Sequence, residues 1–142
     1  MTAPETGTKE RLIVALDLSD SARAKALVAS LAPEVGMFKV GKQLFVNSGP
    51  EIVRMIHDLG GEVFLDLKFH DIPHTVAAAA VEATRLGVKM FNVHISGGHE
   101  MMRQTAAAVE EVCGKEGLQH PSVLGVTVLT SLDGPDLETQ GI

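Results

Sequence analysis

The stretch VFLDLKFHDIPHTV, residues 63–76, contains a lysine flanked by two aspartates. Side chains alternate between the two faces of a strand, so Asp66 and Lys68 are expected side by side on one face. Asp71 follows in a loop, before the first turn of a predicted helix that includes Thr75, and can fold back toward the same point. We predict a lysine ammonium that two carboxylates keep protonated, because nearby opposite charges favour its charged form.

An ammonium between carboxylates suits a reaction in which a carbanion forms beside a departing anion. A substrate carboxylate pressed against Asp66 would be destabilised before it reacts. The ammonium of Lys68 would stabilise and then protonate the carbon left behind as carbon dioxide leaves. This is the chemistry of a decarboxylase that needs no cofactor. A structural ion pair at a strand end is the simpler alternative; the third charge, Asp71, and the charges at neighbouring strand ends favour an active site.

The elements that would position these residues alternate between strands and helices. Apolar runs predict strands over 11–17, 36–45, 62–68, 88–96 and 122–131. Apolar residues at helical spacing, with Gly or Pro at the ends, predict helices over 19–33, 49–61, 75–87 and 99–117. Near-continuous apolar strands joined by helical crossovers form a parallel sheet covered by helices. Both a doubly wound open sheet and a (β/α)8 barrel fit this α/β pattern.

Polar residues recur at or near the C-terminal ends of the predicted strands. They are Asp17, Lys39, Asp66, Lys68, Asn92, His94, Thr130 and Ser131. In a barrel these ends converge on one mouth, where the active site lies, whereas an open sheet would spread them along an edge. A (β/α)8 barrel usually needs roughly 200 residues or more, and the sequence has 142. We therefore predict the first five βα units of a TIM barrel over 11–142, after a disordered extension over 1–10.

The composition excludes several classes of partner. The chain has 18 acidic and 12 basic residues, a net charge of −6, and no cluster of Lys or Arg that could neutralise a row of phosphates, so nucleic acid is not an expected partner. No apolar run approaches the roughly 18 residues of a membrane span, and the polar N-terminal segment has no apolar signal core. A cytoplasmic protein is expected. The single cysteine, Cys113, offers neither an internal disulfide nor metal-ligand spacing.

The pattern from Asp66 to Thr75 resembles the signature of the orotidine 5'-phosphate decarboxylase family: Asp, any residue, Lys, two residues, Asp, Ile or Val, then Thr three positions on. The resemblance continues through ALD at 15–17, FKVG at 38–41, NVHISGG at 92–98 and VTVLTS at 126–131. The chain resembles the bacterial form. The resemblance implies a (β/α)8 barrel that acts as a homodimer without metal or cofactor. It also implies a lyase of pyrimidine biosynthesis that converts orotidine 5'-monophosphate to uridine 5'-monophosphate and carbon dioxide.

The same resemblance implies roles for the charged residues at the strand ends. Lys68 would donate the proton to C6 of the pyrimidine, and Asp66 would crowd the scissile carboxylate. Asp17 and Lys39 would hold the ribose hydroxyls. Lys39 would also complete an alternating network of lysines and aspartates.

Further roles follow for residues in the loops. By the resemblance, Asp71, Ile72 and Thr75 would reach across the dimer interface into the partner's site. Thr130 and Ser131 would contact the pyrimidine ring.

Two departures from the family pattern leave alternatives open. His74 stands where bacterial relatives carry Asn, and the family's phosphate clamp lies in loops after later strands that these residues do not include. Binding energy from a remote phosphate helps to align the reacting groups. One alternative is therefore an inactive half-barrel fragment, which would self-associate to cover its sheet edges and apolar inner face.

A second alternative is a magnesium-dependent sugar-phosphate decarboxylase or aldolase of the same superfamily. Those enzymes place a glutamate ligand on the second strand, where this chain has Lys39, and an ammonium would repel the ion. His94 on the fourth predicted strand is either a substrate-binding residue or a hydrogen-bonded structural one.

Overall fold

The computed structural model describes residues 7–141, which form one parallel sheet of five strands with helices packed on one of its faces. The strands are β1 (Ile13–Ala15), β2 (Met37–Gly41), β3 (Val63–Phe69), β4 (Met90–His94) and β5 (Ser122–Val126). The helices are α1 (Ser21–Leu31), α2 (Lys42–Ser48), α3 (Glu51–Asp58), α4 (Pro73–Arg85), α5 (His99–Glu116) and α6 (Gly134–Thr139).

The order of the strands distinguishes between the two predicted architectures. Each strand pairs in parallel with the next one along the chain, in the order β1-β2-β3-β4-β5. A doubly wound sheet reverses its order at a switch point, whereas a barrel adds each strand beside the previous one. The described residues contain no reversal. This confirms the prediction of five consecutive βα units of a (β/α)8 barrel.

The apolar run over 36–45 is not a single strand. It divides at Gly41, which ends β2 and caps the N-terminus of α2, so the prediction of a strand over 42–45 is wrong. Periodicity alone does not separate a short apolar helix from a strand. Helix α6 was not predicted either; it begins with a capping box in which Asp133 and Asp136 accept hydrogen bonds from each other's backbone N–H.

The strand predicted over 11–17 ends at Ala15. Two more strands, β4 and β5, also end before the predicted positions. The strand predicted over 88–96 ends at His94, and a turn of 3-10 helix over Ile95–Gly97 follows it. The strand predicted over 122–131 ends at Val126. Both apolar runs therefore continue past the last paired residue into a loop at the barrel mouth.

The hydrophobic core lies between the helices and the outer face of the sheet. Its largest fully buried side chains include Phe38 on β2, Leu65 on β3 and Phe91 on β4. Helices α1 and α3 contribute Val28 and Ile56, which are also fully buried. Burying one such side chain stabilises the fold by roughly 1.5–3 kcal/mol. The residues between these on the strands point to the opposite, inner face.

The N-terminal segment enters the fold through a turn of 3-10 helix over Lys9–Arg11. Gly36 lies directly against this turn, because a Cβ there would come within 2.8 Å of the Glu10 backbone. The rest of the segment predicted to be disordered, residues 1–6, lies outside the described residues, and disorder there stays a prediction. Within 7–141, no helix is both long and apolar enough to cross a bilayer.

Candidate active site

The charged residues gather on the inner face, at the C-terminal ends of the strands. Asp66 of β3 stands opposite Gly41 of β2 in the strand register. Lys39 lies on the same face of β2, two residues before Gly41. A Cβ at Gly41 would lie 3.9 Å from the Lys39 Nζ. The lysine lies close enough to reach the carboxylate of the next strand, with its Nζ 3.6 Å from Asp66 Oδ2.

Four of these residues form a chain of alternating charge. Lys39 Nζ lies 3.3 Å from Asp17 Oδ1 and 3.6 Å from Asp66 Oδ2. Lys68 Nζ donates a hydrogen bond of 2.6 Å to the other oxygen of Asp66. The exposed fraction of the side chain falls from 75% for Asp17 to 13% for Asp66. Asp66 is thus the buried centre of the network, with an ammonium on each carboxylate oxygen.

Asp66 and Lys68 lie side by side, but regular alternation along the strand does not account for it. Lys68 has a φ of 51°, and the register between β3 and β4 shifts between Leu65 and Phe69. The backbone N–H of Lys68 donates to the side-chain oxygen of Asn92 at 2.8 Å. The end of β3 is therefore an irregular segment held by a side chain of the neighbouring strand.

The Asp66 carboxyl is held in its ionised form by its neighbours. Burial alone would raise its pKa. The hydrogen bonds from Lys68 and Asn92, together with the positive charges of Lys68 and Lys39, outweigh burial and bring the pKa below its ordinary value. The site therefore presents a fixed negative charge in a partly buried place, with an ammonium in direct contact.

The loop after β3 does not bring its residues into this network. Asp71 is exposed and accepts a hydrogen bond of 2.6 Å from the backbone N–H of Ile72. Over residues 7–141, Lys68 forms an ion pair with Asp66 and none with Asp71. Ile72 has 67% of its surface exposed, and Thr75 in the first turn of α4 is exposed as well. Among residues 7–141 of its own chain, then, Lys68 is not flanked by two carboxylates, contrary to the interpretation of the sequence.

Thr130 and Ser131 lie in the exposed loop between β5 and α6. They were predicted at the end of the fifth strand, which instead ends at Val126. Their hydroxyls are therefore carried by a loop that follows the sheet and not by the sheet itself.

Two histidines face each other at the mouth. The rings of His70, which follows β3, and His94, at the end of β4, lie 5.2 Å apart between centroids. Burial lowers the pKa of His94, and the nearby positive charges of His70, Lys42 and Lys68 lower it further. His94 could be identified as a candidate from the sequence and its pairing with His70 could not, because nothing in the sequence links residues on different strands.

Asn92 is the residue whose importance the sequence analysis missed. Its side chain is buried, with 3% of the residue exposed, and its Nδ2 donates to Asp66 Oδ1 at 2.7 Å. An amide in the middle of an apolar strand was the available signal, because a buried polar group requires a partner. The sequence placed Asn92 at a strand end but did not identify that partner.

The carboxylates of the site are engaged by lysines. Asp17 and Asp66 each pair with Lys39. In the part of the chain that the structure describes, no three His, Cys, Asp or Glu side chains are grouped so that they could hold a metal ion.

Comparisons of this chain with a family model, with sequence relatives and with solved structures identify the same family. The model of the orotidine 5'-phosphate decarboxylase / HUMPS family matches residues 10–141. The orotidine 5'-phosphate decarboxylase of Syntrophotalea carbinolica is 55% identical over 134 residues, covering 94% of this chain and 55% of that protein. The one from Geobacter sulfurreducens is 53% identical, with the same coverage. The chain thus spans about half the length of the curated relatives it matches.

A solved structure agrees with the sequence relatives. The crystal structure of orotidine 5'-phosphate decarboxylase from Lactobacillus acidophilus superposes with a TM-score of 0.82 and 33% identity, over 92% of this chain and 58% of that one. The fold, the charged strand ends and the family model therefore agree. The chain belongs to the orotidine 5'-phosphate decarboxylase / HUMPS family.

Proposed function

We propose that the protein decarboxylates orotidine 5'-monophosphate to uridine 5'-monophosphate, as a carboxy-lyase of pyrimidine biosynthesis. The observation that carries this proposal is the alternating chain Asp17, Lys39, Asp66 and Lys68, with the Lys68 ammonium 2.6 Å from Asp66. It is supported by the activity named for relatives that are 55% and 53% identical to this chain over 134 residues.

In the proposed reaction, Lys68 is the proton donor and Asp66 acts on the departing group. The bond between C6 and the substrate carboxylate breaks, and its electron pair stays on C6. Asp66 keeps its negative charge beside the carboxylate, because its pKa lies below the ordinary value, and the repulsion favours departure as carbon dioxide. An N–H bond of the Lys68 ammonium breaks, and the proton joins C6. No metal or cofactor takes part in these steps.

Four further residues are assigned to substrate binding. Asp17 and Lys39 are exposed enough, at 75% and 25% of their side chains, to exchange their weak contact of 3.3 Å for ribose hydroxyls. Thr130 and Ser131 would bind the pyrimidine from the loop after β5. That assignment requires the loop to lie over the mouth of the barrel when substrate is bound.

We assign Asp71, Ile72 and Thr75 to contacts with a second copy of the chain. All three are exposed, and the Ile72 side chain is an apolar group left open to solvent. A partner's Asp71 would supply the second carboxylate beside Lys68, which has only Asp66 as its ion-pair partner among residues 7–141 of its own chain. The proposed active form is therefore a homodimer.

The alternatives are weighed by two observations. Lys39 bridges Asp17 and Asp66, so a magnesium ion at the strand ends would have to displace an ammonium, which disfavours the metal-dependent sugar-phosphate enzymes. The inner face leaves Ile13 and Leu124 more than two-fifths exposed, at 43% and 41%, which favours self-association also for an inactive fragment. A cytoplasmic location stays a prediction from the sequence.

The test is the loss of ultraviolet absorbance of orotidine 5'-monophosphate in excess chelator. We expect turnover by the 142-residue chain and a loss of about 100-fold or more in Lys68→Ala, since a positioned general acid contributes roughly 10²–10⁴-fold. Lys115→Ala is the matched control, because it removes only an exposed ion pair with Glu111 on α5.

Three outcomes separate the hypotheses. Turnover in chelator that Lys68→Ala abolishes and Lys115→Ala keeps supports the decarboxylase. No turnover of orotidine 5'-monophosphate, together with magnesium-dependent turnover of a keto-hexulose phosphate, favours the sugar-phosphate enzymes. No turnover above that of Lys68→Ala, in a chain that light scattering shows to be associated, favours the inactive half-barrel.

A further inference from the structure

Lys68 has an unusual backbone conformation for the residue on which the proposed chemistry depends. It is the only residue other than glycine within 7–141 that has a positive φ. This left-handed region brings Cβ close to the backbone and is disfavoured for residues with a side chain. A strained conformation persists only where surrounding contacts hold it. The structure must therefore contain a group that keeps Lys68 in place.

The strain coincides with a break in the sheet. Leu65 is paired with Phe91 and Phe69 with Val93, so β3 takes four residue steps where β4 takes two. The intervening backbone of β3 cannot keep its regular ladder bonds to β4. The residue of β4 that stands beside this break is Asn92, between the two paired positions.

Asn92 makes two hydrogen bonds across the break with opposite polarity. Its Oδ1 accepts from the backbone N–H of Lys68 at 2.8 Å, and its Nδ2 donates to Asp66 Oδ1 at 2.7 Å. The same Asp66 oxygen accepts from Lys68 Nζ at 2.6 Å. One carboxamide thus contacts the backbone of the lysine and the carboxylate that orients its ammonium.

We propose that Asn92 is a positioning residue for Lys68: its side chain holds the lysine in the left-handed conformation and fixes the carboxylate to which the ammonium is bound. This inference rests on the proposed function for its kinetic consequences. Asn92 need not touch the substrate. Its effect is expected in the chemical step, because a small misplacement of a reacting group costs rate more than binding.

A serine would be too short for this role, and a leucine could form neither hydrogen bond. The carboxamide of Asn can accept from the Lys68 N–H and donate to Asp66. The carboxamide orientation is fixed, because reversing it would put an NH2 group against the Lys68 N–H and an oxygen against the Asp66 carboxylate. Asn92 is also almost entirely buried, at 3% exposed, so water does not replace either bond.

The first test is the kinetics of Asn92→Ala. We expect kcat to fall about 10–100-fold with KM changed less than about threefold, because loss of a residue that supports a reacting group typically has an effect of this size. Thr84→Val is the matched control: Thr84 is buried to the same degree, at 2% exposed, but bonds only to Ala80 O within α4. It should lower stability and leave kcat unchanged. An equal fall of kcat in both variants would overturn the proposal.

A second variant, Asn92→Asp, keeps the shape of the side chain and adds a pH readout. The introduced carboxyl would lie against Asp66, so its pKa should be raised by the like charge and by burial. When protonated it can again accept from the Lys68 N–H and donate to Asp66. The facing charged groups are Asp66 and Lys68 on β3, Lys39 on β2 and His94 on β4.

The expected result for Asn92→Asp is partial rescue at low pH. The ratio of wild-type kcat to variant kcat should shrink at least fivefold as the pH falls from 8 to 5.5. The reason is that a growing fraction of the introduced carboxyl is protonated and regains the amide's bonding pattern. A ratio that does not change with pH would overturn the positioning role, because a merely structural defect has no reason to follow this titration.

A third measurement does not depend on turnover. Amide hydrogen exchange of Lys68, read by nuclear magnetic resonance, should accelerate at least tenfold in Asn92→Ala relative to residues of α4, and remain unchanged in Thr84→Val. If the unmodified chain has no activity, the proposed function fails, while this exchange experiment still decides whether Asn92 holds Lys68. Unchanged protection of the Lys68 amide in Asn92→Ala would refute the inference.

Discussion

The two faces of the sheet have different roles: side chains on the outer face form the core, and side chains on the inner face form the charged site. Phe38 on the outer face is fully buried in the core, and the next residue, Lys39, reaches the charged network on the inner face. The same change occurs on β3, where Leu65 is 1% exposed and Asp66 follows it. Alternation along a strand thus separates stability from chemistry by a single position.

The comparison also shows where this separation stops. The other strand pairs keep a regular register, whereas the site needs an irregular end of β3, where the pairing with β4 shifts and Lys68 is left-handed. Mutations should therefore divide into those that cost stability and those that alter charge or rate. Lys68 belongs to both groups, because its backbone is strained and its ammonium is part of the network.

The largest effect on stability should come from the outer face of β2. Phe38→Ala should lower the free energy of unfolding by about 3–5 kcal/mol, through loss of buried surface and the cavity it leaves. Lys39→Ala at the adjacent position should cost at most about 1 kcal/mol, because it removes only partly exposed ion pairs. Urea unfolding of both variants measures the difference.

Phe38→Leu is the variant to use if Phe38→Ala does not fold, since it keeps most of the buried volume. Comparable losses for Phe38→Ala and Lys39→Ala would mean that the two faces are not separated as described.

The next effect concerns the centre of the inner network. Asp66→Asn should lower stability at neutral pH by roughly 1–3 kcal/mol, because it removes a carboxylate that accepts charge-assisted hydrogen bonds. The Asp66 pKa is below its ordinary value of 3.8, so this stability is fully present above that value. It should be lost as the pH falls through the lower pKa of the folded state.

Thermal unfolding of the unmodified chain and of Asp66→Asn between pH 7 and pH 2 tests whether the stability difference is lost at low pH. The curves should converge at the acid end. Asp58→Asn, an exposed position on α3, is the matched control and should change stability by less than about 0.5 kcal/mol at any pH. A gap that widens toward low pH would contradict the assigned ion pairs.

Much of the fold could be predicted from the sequence because it depends on repeated patterns. Apolar runs at intervals of a βα unit are produced by burial on the outer face, so they indicated the five strands and the parallel sheet. Asp17, Lys39 and Asp66 could also be identified as site residues, because charges at the ends of apolar strands have few structural explanations. The recurrence of polar residues at the strand ends favoured the barrel over the open sheet, and the family signature agreed with it.

The rest depends on contacts between elements that no local pattern encodes. The φ of Lys68 is imposed by Asn92, which is 24 residues further along the chain. The separation of Asp71 from Lys68 follows from its bond to the Ile72 N–H, which keeps the carboxylate with its own loop. The short β5 follows from pairing with β4, which ends at His94, opposite Val126.

A smaller effect isolates the strain at Lys68 from its charge. Lys68→Gly should be more stable than Lys68→Ala by roughly 1 kcal/mol, because glycine adopts a positive φ without a Cβ clash. Both variants lack the ammonium, so the difference reports the backbone alone. At Leu67, where φ is not positive, the order should reverse, with Leu67→Ala more stable than Leu67→Gly. Equal stability of the two Lys68 variants would show that the lysine is not strained.

The smallest effect concerns the histidines at the mouth. Burial and the charges of His70, Lys42 and Lys68 lower the pKa of His94, so below its ordinary value of 6.5 the unfolded chain binds a proton that the folded chain does not. Stability should therefore decrease as the pH falls from 7 to 5, and His94→Gln should reduce this slope. His74→Gln, at an exposed position on α4, should leave the slope as it is. Because carboxylates begin to titrate only at lower pH, this interval separates His94 from Asp66. A slope that His94→Gln does not alter would contradict the lowered pKa of His94.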